Sequence, residues 1–467
     1  MLKIKLPDNF HNEREYIVST IFKYFCDIDY EIIYENRNNL CLTVNNKNIF
    51  NKNIFIDDSF FQNAVDCWLN NKSMPTLPLK HWCIDDKKIS KCVADCDLPV
   101  IFGKALNDNS YFYQDSDVYI GIDILGSAFF MLTRYEELVN KNRDNYGRFS
   151  AYDSIAYKEK FLERPIINEY LEILWYAIQC VAPELKRKQR SFKIIPTHDV
   201  DRPFEFLNLS LYQVLHSLAG DLLKRKSIKL FSDRLKSYIK FKQGNYKADY
   251  NYTFDTIMDI SEANGLTSTF FFMTAQNISA LDGNYSIVHP YIKNLMQDIA
   301  KRRHKIGLHP SFESFKNAEL VKNNKEQLDY AIKNNLNKNF NFGARQHYLR
   351  WSCPETWQYY ENAGLKFDTT LSFADHIGFR CGICYEYPVF NLLTRKQLNL
   401  IEYPLIVMEG TGLDLNYMNL DNLEMLNRCV RLKEVCKKYK GNFIFLWHNT
   451  RFKKESEKAI YTQLLKT

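Results

Sequence analysis

The chain has 467 residues, 46% hydrophobic and 25% charged, and its 62 Lys and Arg against 55 Asp and Glu leave a formal charge of +7. This balance excludes disorder and collagen, and the length gives room for a sizeable core in two or three domains. The excess charge is spread along the chain rather than gathered in a tail, so no nucleic-acid partner is expected.

The N-terminus, MLKIKLPDNFHNERE, meets polar and acidic residues before any apolar stretch reaches signal-peptide length. No later apolar run approaches about 18 residues. The expectation is a cytoplasmic protein with no transmembrane segment. Twelve cysteines diluted through a chain of this length, with no secretory signal, are expected as free thiols.

Residues 1–142 mix a helical stretch, Glu13 to Cys26, with short β-like runs at Tyr30 to Tyr34, Leu40 to Val44 and Ile54 to Ile56. That mixture predicts a small α+β accessory domain. Val118 to Ile124 reads as a buried strand leading through Gly126 into the helical pattern SAFFMLTRYEELV. Residues 143–191 read as a helical connector, whose helix between Arg164 and Leu185 gives way to the basic, polar KRKQRS.

From residue 192 to 467 one theme recurs, in which an apolar run ends in a reactive residue and a helical segment follows. FKIIPT leads into His198, Asp199 and Asp201, KIGL into His309, and FIFLW into His448. STFFFM, FNFGA, LKFDTT and LNLIEYPLIV are further strand candidates, alternating with helices such as Thr356 to Ala363 and Leu423 to Tyr439. Such alternation implies βα units on a parallel sheet, doubly wound or closed as a barrel, and reactive residues at several strand ends favour the barrel. A basic helical insertion at 204–243, KRKSIKLFSDRLKSYIKFK, interrupts the scheme. Its charge suits an acidic ligand or a membrane surface, but Leu230, Phe231, Leu235, Tyr238 and Ile239 recur at a spacing that packs a helix onto the rest of the fold.

In THDVDRP, strand alternation turns Asp199 and Asp201 to one side and His198 to the other. Two carboxylates in one site are costly unless a cation neutralises them or one holds a proton, the conditions that metal-assisted hydrolysis uses. A strand-end turn balanced by Arg202 is the alternative. His309, after an apolar tetrad and before Pro310, is placed to ligate a metal or to be a hydrogen-bonded core histidine. His448 ends a run that can be buried on both faces, and acid, base and ligand roles are open to it. The stretch GARQHYLRW gathers Arg345, His347 and Arg350, and an arginine there can fix a catalytic carboxylate. Asp368 and Asp375 are carboxylates able to orient a histidine. Cys381 and Cys384 form a single CxxC, insufficient for zinc or redox chemistry. No Walker loop, GxSxG, HExxH or GxGxxG is present, so kinase, serine esterase, zincin and dehydrogenase readings lack their anchors.

The ordered set THDVD, KIGLHPSF, ARQHYLRW, FDTT with ADHIGFR, and FLWH resembles the five motifs of the polysaccharide deacetylase family, the NodB-homology or carbohydrate esterase family 4 fold. The resemblance covers residues 192–467 and implies a distorted (β/α)7 barrel, preceded here by the smaller α+β domain. It also implies a divalent metal such as zinc and hydrolytic removal of an acetyl group from an N-acetylated sugar; with no export signal expected, a glycan precursor in surface polysaccharide metabolism is the expected substrate.

Carried over by position, Asp199 matches the general base, Asp201 the metal-binding aspartate, Arg345 the arginine that positions the base and His448 the general acid. Asp368 or Asp375 is then the partner of His448. His309 matches the first histidine of the family's His-x-x-x-His ligand pair. Two departures stand out: Val200 separates the carboxylates, and Glu313 occupies the place of the second histidine. Either Glu313 or His347 then supplies the third ligand, or the chain is a catalytically inactive carbohydrate-binding or scaffold protein that retains the barrel.

Overall fold

The structure, a computed structural model, describes residues 2–44, 52–107, 109–274, 279–283, 285–336 and 341–466. In the first part, strands β1 (Leu2–Pro7), β2 (Tyr30–Glu35), β3 (Leu40–Val44), β4 (Asn53–Ile56), β7 (Phe112–Gln114) and β8 (Val118–Ile120) form a mixed six-stranded sheet. Its order is β2-β1-β3-β4-β8-β7. A separate antiparallel pair joins β5 (Lys80–Cys83) to β6 (Asp97–Val100). The expected first helix is present as His11–Val18, continued by a wider π-helical stretch at Ser19–Phe25. The strand expected over Val118 to Ile124 is shorter, because Asp123 caps the helix Ile124–Leu132 by accepting from the Gly126 N–H. The connector helix spans Ile166–Val181.

The second part is built on β9 (Lys193–Val200), β10 (Thr269–Met273), β11 (Lys305–His309), β15 (Val407–Met408) and β16 (Asn442–Leu446), all parallel, in the order β11-β10-β9-β16-β15. β10, TFFFM, is buried at every position, as a parallel strand covered on both faces must be. Beyond β11 the pairing passes through Ala344, bridged to both Leu308 and Asp368, to β12 (Phe367–Asp368), β14 (Lys396–Glu402) and β13 (Tyr387–Asn391). The approach at Ala344 is close enough that a Cβ on the preceding Gly343 would lie 2.3 Å from the Phe367 carbonyl oxygen. The architecture is therefore mixed α/β. The ladders run from β15 round to β13, and among the described residues none joins those two strands to close the barrel that the motif order implies. FNFGA contributes only the Ala344 bridge, and its Phe340 lies outside the described residues. LNLIEYPLIV divides into β14 and β15 around Pro404.

The insertion forms two helices, Leu211–Leu223 and Ile228–Lys242. Leu230, Phe231, Leu235 and Tyr238 are half-buried and Ile239 is exposed. All twelve cysteines are unbridged. Among the described residues no helix is long and apolar enough to cross a membrane.

One apolar cluster runs through both parts, from Leu2 to Leu465. Buried polar contacts reinforce the junction: Tyr16 Oη donates to the Pro388 carbonyl at 2.8 Å, and Asn168 Oδ1 accepts from the Cys384 N–H at 2.9 Å. At its centre Glu137 accepts from Arg134 Nε at 2.8 Å and from Arg380 Nε and Nη2 at 2.9 and 2.6 Å. Burial disfavours the Glu137 carboxylate, but the two guanidiniums outweigh it and bring its pKa down to about 2. A depressed carboxyl pKa contributes stability that is present above the ordinary carboxylate range and is lost as pH falls toward 2. Glu137→Gln, which leaves two guanidiniums facing a neutral amide, should cost about 3–5 kcal/mol in urea denaturation at neutral pH. The gap from wild type should close as the acid limit is approached.

Candidate metal centre

Asp199 and Asp201 stand at the C-terminal end of β9, His309 is the last residue of β11, and His448 follows β16. Parallel alignment of these strands brings their ends to one rim, so residues separated by as much as 249 positions meet there. His198 turns to the other face, where its Nδ1 lies 2.7 Å from the Trp447 carbonyl and its ring stacks on Phe270. It therefore takes no part in the site.

Three groups converge so that one donor atom from each, Asp201, His309 and His347, lies within 4.8 Å of the others. His309 Nε2 is 3.2 Å and His347 Nε2 3.9 Å from Asp201 Oδ1. The remaining ring nitrogens are occupied: His309 Nδ1 faces the Arg345 carbonyl at 2.5 Å, and His347 Nδ1 faces Asp282 Oδ1 at 3.0 Å. Acceptors at both Nδ1 positions orient the rings so that the Nε2 atoms face the cluster, where burial is outweighed by Asp199 and Asp201 and the His309 pKa is raised. Asp201 Oδ1 is itself buried with no hydrogen-bond partner. Two ring nitrogens and an orphaned carboxylate oxygen aimed at one point suit a metal ion once the rings are neutral, and an N/O donor set of this kind suits a divalent one such as zinc. Burial works against the Asp201 carboxylate, yet the three surrounding imidazoles hold its pKa well below the usual range.

Two charge pairs border the cluster. Asp199 is held by the fully buried Arg345, whose Nη1 lies 3.3 Å from Asp199 Oδ1 and donates to Thr197 Oγ1 at 2.7 Å. Thr369 fixes the same guanidinium through its carbonyl and hydroxyl, at 3.1 and 3.2 Å. On the other side, His448 Nδ1 is hydrogen-bonded to the buried Glu409, and His448 Nε2 lies 3.5 Å from Asp201 Oδ2. Burial opposes the imidazolium, but Glu409, with Asp201 and Asp199 behind it, pushes the His448 pKa up to about 10. A cation beside Asp201 would oppose the contribution of the aspartates, so Glu409 is the group that keeps His448 charged.

The remaining sequence candidates lie elsewhere. Glu313 is more than half exposed and faces Arg350 at 3.6 Å; the structure puts His347, carried by the turn after Ala344, in the third-donor position. Asp375 caps the connector, accepting from the Ala151 N–H at 3.0 Å and from the Ser150 hydroxyl. Asp368 is buried beside Glu402, with Trp357 Nε1 donating to both, at 3.2 and 3.1 Å. The carboxylate on His448 is Glu409, in place of either aspartate, because β15 rather than β12 is the neighbour of β16. Glu409 and Asp282 were not among the sequence candidates. Glu409 had a signal, being the carboxylate that ends the LNLIEYPLIVM run, whereas Asp282 lies in a loop with no pattern around it.

The rim opens into a cleft of about 940 Å³ lined by Asp201, Asp282 and His448 together with Arg202, Arg234 and Arg451. Arg234 comes from the insertion, which thus forms one wall. Tyr348, adjoining His347, packs against Tyr146 with ring centroids 5.3 Å apart and planes tilted by 44°, while Trp351 and Trp447 are buried in the core.

A profile of a family of unknown function, DUF7033, matches residues 2–183. No curated protein matches the sequence. Among solved structures, a Mycobacterium smegmatis protein provisionally assigned as a polysaccharide deacetylase aligns with 60% of this chain and 84% of its own, at 11% identity and a TM-score of 0.38.

Burial raises the pKa values of both Asp368 and Glu402, that of Asp368 to about 6. The folded state then keeps a proton that the unfolded chain releases, so stability falls as pH rises from about 4 through about 6. Glu402→Gln removes one of the two acids. Its melting temperature relative to wild type should rise by a few degrees between pH 4 and pH 7, read by differential scanning calorimetry; a constant offset would disprove a shared proton.

Proposed function

We propose that this protein is a metal-dependent hydrolase that removes an acetyl group from an N-acetylated sugar. The observation that carries this reading is the convergence of Asp201, His309 and His347 between a buried Asp199–Arg345 pair and a His448–Glu409 pair. The order of the sequence motifs supports it independently.

Amide hydrolysis needs an activated water and a protonated leaving nitrogen. A divalent ion held by Asp201, His309 and His347 supplies a Lewis acid that acidifies water and polarises a carbonyl. Asp199, oriented by Arg345, accepts the proton of the attacking water. His448, charged and held by Glu409 Oε1, donates to the departing amine, a role typically worth about 10²- to 10⁴-fold. Tyr348 and Tyr146 offer ring faces to a sugar, and the polar walls of the cleft offer hydrogen-bond partners to its hydroxyls.

Acetate release from N-acetylhexosamine oligomers tests the reading. Activity should vanish with chelator and return with zinc; release that persists in chelator would sink it. Asp199→Asn should lose on the order of 10²-fold or more in kcat with its circular dichroism unchanged. His347→Ala should lose bound zinc measured by atomic emission, whereas Glu313→Ala should retain it, and the reverse pattern would return the third-ligand role to Glu313.

A further inference from the structure

A second cavity, of about 220 Å³, lies at the opposite end of the parallel strands. Tyr439 and Lys440 on its wall precede β16, whose far end carries His448, and Arg190 precedes β9, whose far end carries Asp199. Five residues of β16 separate the two ends by about 17 Å. Both parts of the molecule contribute, since Phe25 and Cys92 come from the first part, Glu172 and Arg187 from the connector, and Tyr385 and Lys438 from the second.

Its charge is one-sided. Lys91, Arg187, Lys188, Arg190, Lys438 and Lys440 line it, against the single carboxylate of Glu172. Glu172 is already engaged, 2.7 Å from Arg187 Nη2. Among the described residues no carboxylate pairs with Lys91, Lys188 or Lys440. Arg190 spends only Nη2, on Glu386, and its guanidinium lies 4.1 Å over the ring of Tyr385. Arg190 Nε and Nη1 are buried and have no hydrogen-bond partner. Tyr385 is itself fixed, donating to the Tyr439 carbonyl at 2.7 Å, so the ring that carries the guanidinium cannot readily turn away.

We infer that this interdomain cavity binds a small phosphate-bearing anion. Buried guanidinium donors without acceptors and a ring of unpaired ammoniums are satisfied together by one ligand with several anionic oxygens. The volume is below the roughly 300–1,000 Å³ of sites for drug-sized molecules, which limits the bound group to a diphosphate or the phosphate end of a larger ester. Because first part, connector and second part all touch it, the ligand braces their junction.

The test is titration calorimetry with inorganic diphosphate on the full chain after EDTA treatment, which removes any metal at the other rim that could itself hold phosphate. One diphosphate should bind per chain, more weakly as salt rises. The double variant Lys188→Gln, Lys440→Gln changes two exposed side chains and should keep the wild-type melting temperature while weakening binding about tenfold. Arg190→Gln should weaken it further. Glucose 1-phosphate that binds competitively would assign the site to esters, and inorganic phosphate binding alone would assign it to the free ion; either supports the phosphate class. Absence of saturable binding at millimolar diphosphate, unchanged affinity in the double variant, or citrate binding as tightly as diphosphate would each overturn the proposal.

Discussion

The arrangement at the rim depends on one electrostatic constraint, the balance of buried charge around Asp201. Asp199 with Arg345 is neutral, and so is Glu409 with a protonated His448. Asp201 and Asp282 then leave two further carboxylates beside the imidazoles of His309 and His347. A cation shared among these groups would offset that remainder, and against its burial Asp199 and Asp201 already favour the charged form of His309. Buried charge left unbalanced is far more costly than a surface ion pair is beneficial, so this remainder is the strongest physical constraint at the rim.

That balance explains why two positions matter more than the motif spacing suggests. Replacing the second histidine of a His-x-x-x-His pair with Glu313 would add a third uncompensated carboxylate if that side chain turned inward. Instead Glu313 faces Arg350 at the surface, and His347 enters the cluster from another element. The turn that carries it is strained in a consistent way, with Tyr348 and Leu349 both in the left-handed region at φ 62° and 53°. This backbone geometry aims His347 inward while Tyr348 stays on the rim.

Much of this rim was legible in the sequence because strand ends in a parallel sheet fall together, so His309, His448 and the Asp199/Asp201 pair could be grouped from local pattern alone. What pattern could not give was lateral order. Whether β12 or β15 flanks β16 decides whether Asp368 or Glu409 meets His448, and no periodicity within either strand encodes its neighbour. The same limit hid Asp282, which reaches His347 from a loop 65 residues away. Barrel closure also depends on such pairings, and the ladders that run from β15 to β13 show how a strand pattern fixes parallel βα units without fixing how their edges meet. Helix boundaries, by contrast, followed caps and apolar spacing to within a few residues, as at Asn422–Lys438 against the expected Leu423 to Tyr439.

The first part is more than a neighbour of this rim. Arg148, in the connector, donates to the Tyr348 carbonyl at 3.2 Å and to the Tyr417 hydroxyl at 3.3 Å, and its guanidinium sits 4.9 Å over the ring of Tyr146. The turn bearing His347 is therefore tied to the connector, which is tied in turn through Asp375 to the loop before Arg380, and Arg380 itself is held from the first part by Glu137. Each link is a charge held against a buried or half-buried partner, and such links resist displacement because moving either partner exposes the other uncompensated. The donor geometry at the cleft thus rests on contacts made well outside it, and residues 2–183 contribute to the site as its frame rather than by supplying ligands.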